Sequence, residues 1–273
     1  GSASSRSPVP ASGEASTASR RRGGIAAPGP LAKTCRRSVR NCTKGITIAT
    51  TVKVTDAGAP SRDGSSERNR DRILAAALEV FAQRGFDGAT TAAIARRAGV
   101  TQPLVHYHFA TKDDLWRGAL TELLGELGAA FGDGPDELAD VEPLTRLKVL
   151  VRRYVYFSAA HPEFGRILAY EGGRGGERLR WVLSQTGASQ LRSFDEILRQ
   201  GSDEGWLKPL PPEFVGMALA AAAAYAFIAK EIMGRVWGID VSDPEAIEAQ
   251  ADTIVELFFH GLVASPEPEP SDG

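Results

Sequence analysis

Beyond residue 66, apolar positions recur at intervals of three and four, the spacing of one face of an α-helix. Ile73, Ala77 and Phe81 form one stripe with Leu74 and Leu78 beside it, which predicts a first helix from near Arg68 to Arg84. Gly85 then caps it, and Phe86 folds back as the apolar contact that follows such a cap. Thr90 can cap a second helix, whose Ile94 and Ala98 share a side before Gly99 stops it. A third short helix follows: Thr101 is its N-cap candidate, Pro103 sits in its first turn, and Val105 and Phe109 form its apolar edge. Thr111, Asp113 and Asp114 read as an N-cap with acids in the first turn, opening a helix that runs to about Phe131.

The rest of the chain also reads as all-α. Gly132 to Pro135 is a break, Pro143 to Ala160 a helix, and His161-Pro162 opens a short helix to about Tyr170. Gly172 to Gly176 is expected as a loop, followed by one long helix from about Glu177 to Gly201 and a turn around Pro209 to Pro212. An Ala-rich helix spans Phe214 to about Val236. A last helix follows Ser242-Asp243-Pro244-Glu245, read as a capping box, with Ile247, Ala251, Ile254, Phe258 and Leu262 as its stripe. That makes about nine helices, divided into a tail (1–66), a helix-turn-helix domain (67–127, motif 90–109), a second helical domain (128–264) and an acidic tail (265–273).

The second and third helices, TTAAIARRAGVTQPLVHYHF from Thr90 to Phe109, carry the candidate chemistry. With Val105 and Phe109 turned inward, Pro103, Leu104 and Tyr107 face outward and His106 and His108 lie on the flanks. Two short helices joined by a Gly-containing turn can place the second in the DNA major groove. On spacing alone an ordinary helical hairpin fits as well.

The residues distinguish the two. AxxxFAxxGF at Ala77 to Phe86, TTxxIAxxAGV at Thr90 to Val100 and HYHFxxK at His106 to Lys112 agree together, without a gap. On these motifs the stretch Ile73 to Leu120, under a fifth of the chain, resembles the N-terminal domain of TetR-family transcriptional repressors. The resemblance implies that Thr90 and Thr91 meet a phosphate, that Gln102, Pro103 and Leu104 reach base edges with Thr101 beside them in the DNA-binding set, and that His106, Tyr107, His108 and Lys112 hold the DNA backbone. Gln102 can bond adenine, and Leu104 can touch a thymine methyl. The family usually has Tyr where this chain has His106, which makes that phosphate contact dependent on protonation. The resemblance further implies a homodimer through the last two helices, with the small Ala218 to Ala224 run allowing close approach. It also implies a pocket for an unknown small-molecule effector, for which Tyr154, Phe157, Tyr170, Trp181, Phe194, Met217 and Phe227 are the candidate lining residues.

Charge refines this picture. Residues 1–66 carry eleven Lys or Arg against three acids, residues 67–127 eight against eight, and residues 128–273 thirteen against twenty-three. The acidic part is the end expected to stay off DNA. A neutral reading domain is less basic than the usual footprint, although Arg68, Arg70, Arg72, Arg96, Arg97 and Lys112 can still share a face.

Residues 1–66 are rich in Ser, Ala, Gly, Pro and Arg and are expected to be disordered, with a basic arm touching DNA as the functional alternative. Gly1-Ser2 without an initiating Met reads as an added dipeptide, and the run behind it as an upstream stretch reached from a misplaced start. The only cysteines, Cys35 and Cys42, lie in this tail and lack the further ligands of a zinc site. His106 and His108, two residues apart, point to different sides of a helix, so no metal is expected, nor any other cofactor. No signal peptide or membrane span is expected, and the chain reads as cytoplasmic.

Three functions remain: a dimeric repressor of palindromic operator DNA released by a ligand, an interaction protein whose helix-turn-helix does not read DNA, and an enzyme. His161 and His260 stand alone without triad, carboxylate-pair or phosphate-loop partners, which argues against the enzyme.

Overall fold

The computed structural model describes residues 62–131, 138, 140–185 and 187–263. Of the disordered tail expected over residues 1–66, residues 1–61 lie outside these, as do the break expected at Gly132 to Pro135 and the acidic tail from residue 265, while residues 62–66 are helical instead. The described residues form eleven helices and one π-helical turn, and the protein is all-α. In chain order the helices are α1 (Arg62–Gly88), α2 (Thr91–Ala98), α3 (Gln102–His108), α4 (Lys112–Phe131), α5 (Pro143–Ala160), α6 (Pro162–Arg174), α7 (Glu177–Ser184), α8 (Gly187–Asp203), α9 (Pro212–Ile228), α10 (Lys230–Ile232) and α11 (Pro244–Leu262), with the π turn at Met233–Trp237. No single helix among them is long and apolar enough to cross a membrane.

Two apolar cores organise the chain. The first gathers Ile73, Ala77, Phe81, Ile94, Val105, Leu115, Trp116 and Leu120 from α1 to α4, and extends to Phe157, Phe164, Ile167 and Val182 of α5, α6 and α7. The second joins α5, α8, α9 and α11 through Leu147, Val155, Leu198, Leu219, Phe227, Ala251, Ile254 and Phe259. Phe131 and Tyr154 pack against both. The division drawn at residue 127 therefore falls inside α4, whose far end already belongs to both cores.

Several element boundaries differ from the sequence reading for physical reasons. α1 begins at Arg62 rather than near Arg68, because its first turns are polar and carry no apolar stripe to reveal them. Gly85 interrupts it as the sequence reading expected, with a non-helical backbone (φ 66°, ψ 174°), and a short helical turn continues beyond this kink to Gly88. α6 runs through Gly172 and Gly173 to Arg174, where Gly175 in the left-handed region caps it, so the expected loop shrinks to two residues. The single helix expected over Glu177 to Gly201 is broken at Gln185, where the backbone is extended, and the Ser184 hydroxyl donates back to the Trp181 carbonyl at 2.7 Å. The helix expected to reach Val236 stops at Ile228, whose carbonyl accepts from Arg166 at 2.9 Å. At α11 the cap is Asp243, which accepts from the Glu245 N–H at 3.0 Å, while the Ser242 hydroxyl donates to Asp240 at 2.6 Å. The helix is therefore capped by Asp243 alone and not by the capping box expected from Ser242.

The bend at Gly85 positions everything N-terminal to α4. A Cβ there would overlap the Tyr170 ring of α6, so only glycine fits both the space and the positive φ. Beyond the bend, Phe86 stacks on Phe81 with ring centroids 5.9 Å apart, and Asp87 pairs with Arg174 at 2.8 Å. Lys112 at the start of α4 donates to the carbonyls of Phe86 (3.0 Å) and Ala89 (3.2 Å), and its ammonium lies 4.4 Å from the Phe86 ring centre. From α7, Arg178 lies 4.0 Å from the same ring and bonds the buried Glu171 at 3.2 Å. In the second core, buried Arg152 of α5 bridges Glu248 and Asp252 of α11, and Tyr156 also donates to Glu248. Burial pushes the Arg152 pKa down, but its bond to Asp252 and the charge of Glu248 outweigh this and hold it above the ordinary value.

Two outcomes follow from this joint. Gly85→Ala should lower unfolding free energy in urea by about 2 kcal/mol, the order of cost of forcing a side chain into the left-handed region. Adding Tyr170→Ala should recover only the part due to overlap. Lys112→Ala should cost roughly 1–2 kcal/mol, since two carbonyls lose a charged donor, and the same denaturation series measures it.

Candidate nucleic-acid interface and regulatory cavity

Helix α2 is held at both ends by local chemistry. Thr90 is extended (φ −125°), and its hydroxyl accepts from the Ala93 N–H at 3.1 Å; Gly99 (φ 66°) closes the other end by donating to the Ala95 and Arg96 carbonyls. Arg72 of α1 reinforces this end by donating to the Ala98 carbonyl at 2.6 Å. Helix α3 begins at Gln102 after Thr101, which sits in the N-cap conformation without a capping bond from its side chain. Val105 is fully buried and Phe109 nearly so, and this fixes which side of α3 faces out.

That outer side holds the residues expected to meet DNA. Thr101, Gln102, Pro103, His106 and Tyr107 are exposed, Tyr107 at 79%, while Thr91, Leu104 and His108 are half-buried. Gln102 Nε2 donates to the Thr91 hydroxyl at 3.1 Å, and His106 Nε2 lies 3.4 Å from Gln102 Nε2 and 3.5 Å from Thr91 Oγ1. Tyr107 meets the His108 ring edge-on at 5.2 Å, and His108 Nε2 is buried without a hydrogen-bond partner. The Thr91, Gln102 and His106 side chains thus form one polar cluster across the turn. Gln102 and His106 are one helical repeat apart, whereas Thr91 joins them only through the fold, eleven and fifteen residues away in sequence.

The structure places Lys112 apart from this set, on the carbonyls described above. The other cations are also largely engaged within the protein. Arg70 pairs with Glu122 at 2.6 Å, Arg97 with Glu79 at 2.6 Å and Arg117 with Asp113 at 2.6 Å. Arg68 and Arg96 are exposed.

Between α4, α5, α6, α7, α8 and α9 lies a cavity of about 370 Å³. Buried Leu124, Phe164, Val182 and Leu219 form its floor; exposed Leu183, Glu213 and Met217 stand at its mouth. Of the residues expected to line a pocket, Tyr154, Phe194 and Met217 do so. Burial pushes the Tyr154 phenol pKa up, against the lowering effect of its bond with Ser158, so it is neutral. The other four sit elsewhere. Phe157 is packed in the first core and Phe227 in the second, Trp181 lies 5.5 Å from the Trp116 ring, and Tyr170 covers Gly85. Composition could not separate these roles, because an aromatic ring suits a core, a joint and a cavity equally. Asp195 and Glu213, which also line the cavity, were missed, since acids on a helix read as a solvated face.

A second surface is apolar without being buried. Phe214, Met217 and Tyr225 on α9 and Leu257 on α11 are exposed at 76%, 71%, 62% and 67%, and the two helices pack side by side. Ala218 and Ala221 lie exposed between these large side chains on α9.

Comparison with known proteins agrees with this geometry. Residues 73–118 match the family model for bacterial regulatory proteins of the tetR family, and residues 143–258 match a tetracyclin repressor-like C-terminal domain. The chain is 32% identical over 208 residues to the HTH-type transcriptional repressor NicS of Pseudomonas putida, covering 74% of this chain and 95% of that protein. It is 26% identical over 212 residues to the HTH-type transcriptional regulator RutR of Escherichia coli, covering 77% and 96%. Among solved structures, the ketosteroid transcriptional regulator KstR2 of Mycobacterium tuberculosis shares the fold with a TM-score of 0.57 at 22% identity, over 72% of this chain and 95% of that one. A helix-turn-helix at one end, a helical domain behind it and a relative matched over nearly its whole length lead to one conclusion: this protein belongs to the TetR family of bacterial transcriptional regulators.

Proposed function

We propose that this regulator is a homodimeric repressor that holds a palindromic operator through α3 and lets go when a small molecule fills the cavity behind α4. The observation that carries the reading is the outward face of α3. A nearly fully exposed Tyr107 stands beside exposed Gln102, Pro103 and His106, on a helix whose other side is locked into the first core. An aromatic and amide face of this kind, presented on a rigid support, suits contact with phosphates and base edges. Thr90 and Thr91 at the start of α2 add hydroxyl donors and helix N–H groups for a phosphate.

Gln102 is the base-reading residue in this proposal. Its amide nitrogen is held inward by Thr91, which leaves the oxygen outward as an acceptor for an exocyclic amino group of adenine or cytosine. Lys112 acts by fixing α4 to the end of α1 instead of touching phosphate.

The exposed apolar face of α9 and α11 supports the dimer. Four large apolar side chains in water on adjacent helices favour burial against a copy of themselves, and two-fold symmetry matches a palindrome. Two structural neighbours bear on the ligand: AibR, in complex with isovaleryl coenzyme A and operator DNA, shares the fold at a TM-score of 0.55 and 18% identity, and KstR2 of Mycobacterium tuberculosis is a ketosteroid transcriptional regulator. Both names support a regulator with a small-molecule effector, and neither transfers its ligand here.

Selection from a random DNA pool at near-physiological salt should enrich a palindrome with half-sites about one helical turn apart. A pool with no enriched sequence would sink the operator reading. On the selected site, Gln102→Ala should relax preference at one position per half-site by roughly 1–3 kcal/mol and leave the salt slope unchanged. Equal losses on all sequences would instead make Gln102 a backbone contact. In sedimentation velocity, Leu257→Glu should convert a dimer to a monomer and weaken operator binding with it; a variant that stays dimeric would exclude the α9 and α11 face.

A further inference from the structure

The cavity has a chemical bias that its aromatic lining alone does not reveal. Phe131, Tyr154, Phe164 and Phe194 give it four aromatic rings, and the only charged side chains among its described lining residues are two carboxylates, Asp195 and Glu213. No Lys, Arg or His is among them.

The two carboxylates are not equivalent. Glu213 stands exposed at the mouth in the first turn of α9, where Arg199 donates to it at 2.5 Å and offsets its charge. Asp195 is half-buried on α8 and makes no ion pair with any of the described residues. Its Oδ1 lies 3.4 Å from where a Cβ on Gly216 would stand, so the carboxylate rests against the α9 backbone at the one position in that stretch without a side chain. The Phe194 ring lies beside it, 3.9 Å from the same point. An uncompensated carboxylate with an aromatic ring next to it, at the edge of a space otherwise apolar, attracts a cation by charge and by ring quadrupole together. The same carboxylate repels a carboxylate or phosphate head group.

Resting on the reading of this cavity as the effector site, we propose that it takes an organic cation: an apolar body within the aromatic lining, and a protonated amine or quaternary ammonium against Asp195. The volume, about 370 Å³, is near the lower end of the range for drug-sized ligands and suits a single compact skeleton.

Three chain-matched probes separate charge from hydrophobicity: decylamine and decanoate below their micelle concentrations and decanol below its solubility limit, each titrated into the full chain by calorimetry at neutral pH. Decylammonium should bind at least about tenfold tighter than decanoate, with decanol between them. Asp195→Asn should erase most of that preference while leaving decanol unchanged, and Glu213→Gln should reduce it less. Decanoate binding as tightly as decylammonium, or a preference that survives Asp195→Asn, would overturn the inference yet leave the cavity as an effector site. If no probe binds, or all bind as well to Ala220→Phe, which fills the lining, the cavity reading itself falls and the cation with it.

Discussion

The bend at Gly85 is the constraint on which the rest of the arrangement depends. Without a side chain and with φ at 66°, it turns the end of α1 so that Phe86 lies on Phe81 and two carbonyls face Lys112. The space so created is filled by Tyr170 from α6. One residue therefore sets three relations at once: α1 to its own end, α1 to α4, and α1 to the helices that follow. Around it the cations Lys112 and Arg178 flank a single phenyl ring, and Arg174 ties Asp87 down from the same side. Each such contact is modest by itself, but all of them act on one turn of helix.

The balance of eight basic and eight acidic residues over 67–127 has a structural explanation. Arg70, Arg97 and Arg117 pair with acids inside this region, while Arg72 and Lys112 stabilise helix ends by donating to carbonyls. Charge here serves mainly to fix helices against one another. The exposed cations Arg68 and Arg96 lie on α1 and α2, while on the outer side of α3 itself what reaches outward is amide, imidazole and phenol, with the hydroxyls and N–H groups at the start of α2 nearby. Contacts of that kind depend more on geometry than on charge, and release fewer counterions from DNA than a lysine-rich face does.

The N-terminal half was legible because its signals are local. Thr90 and Gly99 cap α2 at the expected places, and Val105 and Phe109 point inward as the four-residue spacing requires. Element ends further along were less legible because distant residues make them. Nothing near Ile228 in sequence announces that Arg166 will take its carbonyl, and nothing near Arg174 announces Asp87. The cavity was legible only as a demand for aromatic residues, which Tyr154 and Phe194 meet and Trp181 and Tyr170 do not. Asp195 gave no signal, since its significance lies in Gly216 and Phe194 beside it, not in its own periodicity.

The cavity and the reading helices border one core, and this bears on how one can affect the other. Leu124, Leu127, Phe164 and Val182 line the cavity and also belong to the core that holds Ile73, Ile94 and Val105. Close-packed interiors do not absorb a displaced side chain within one layer, so a molecule pressing on these four residues presses on the packing beneath α1 to α3. Met217 adds a second connection, because it stands at the cavity mouth and on the exposed face of α9 together. A filled cavity would therefore act on the reading pair through α4 and α6 and on the outer face through α9. Neither effect requires a contact between ligand and DNA. It requires only that the two cores stay coupled through Phe131 and Tyr154, the residues that pack against both.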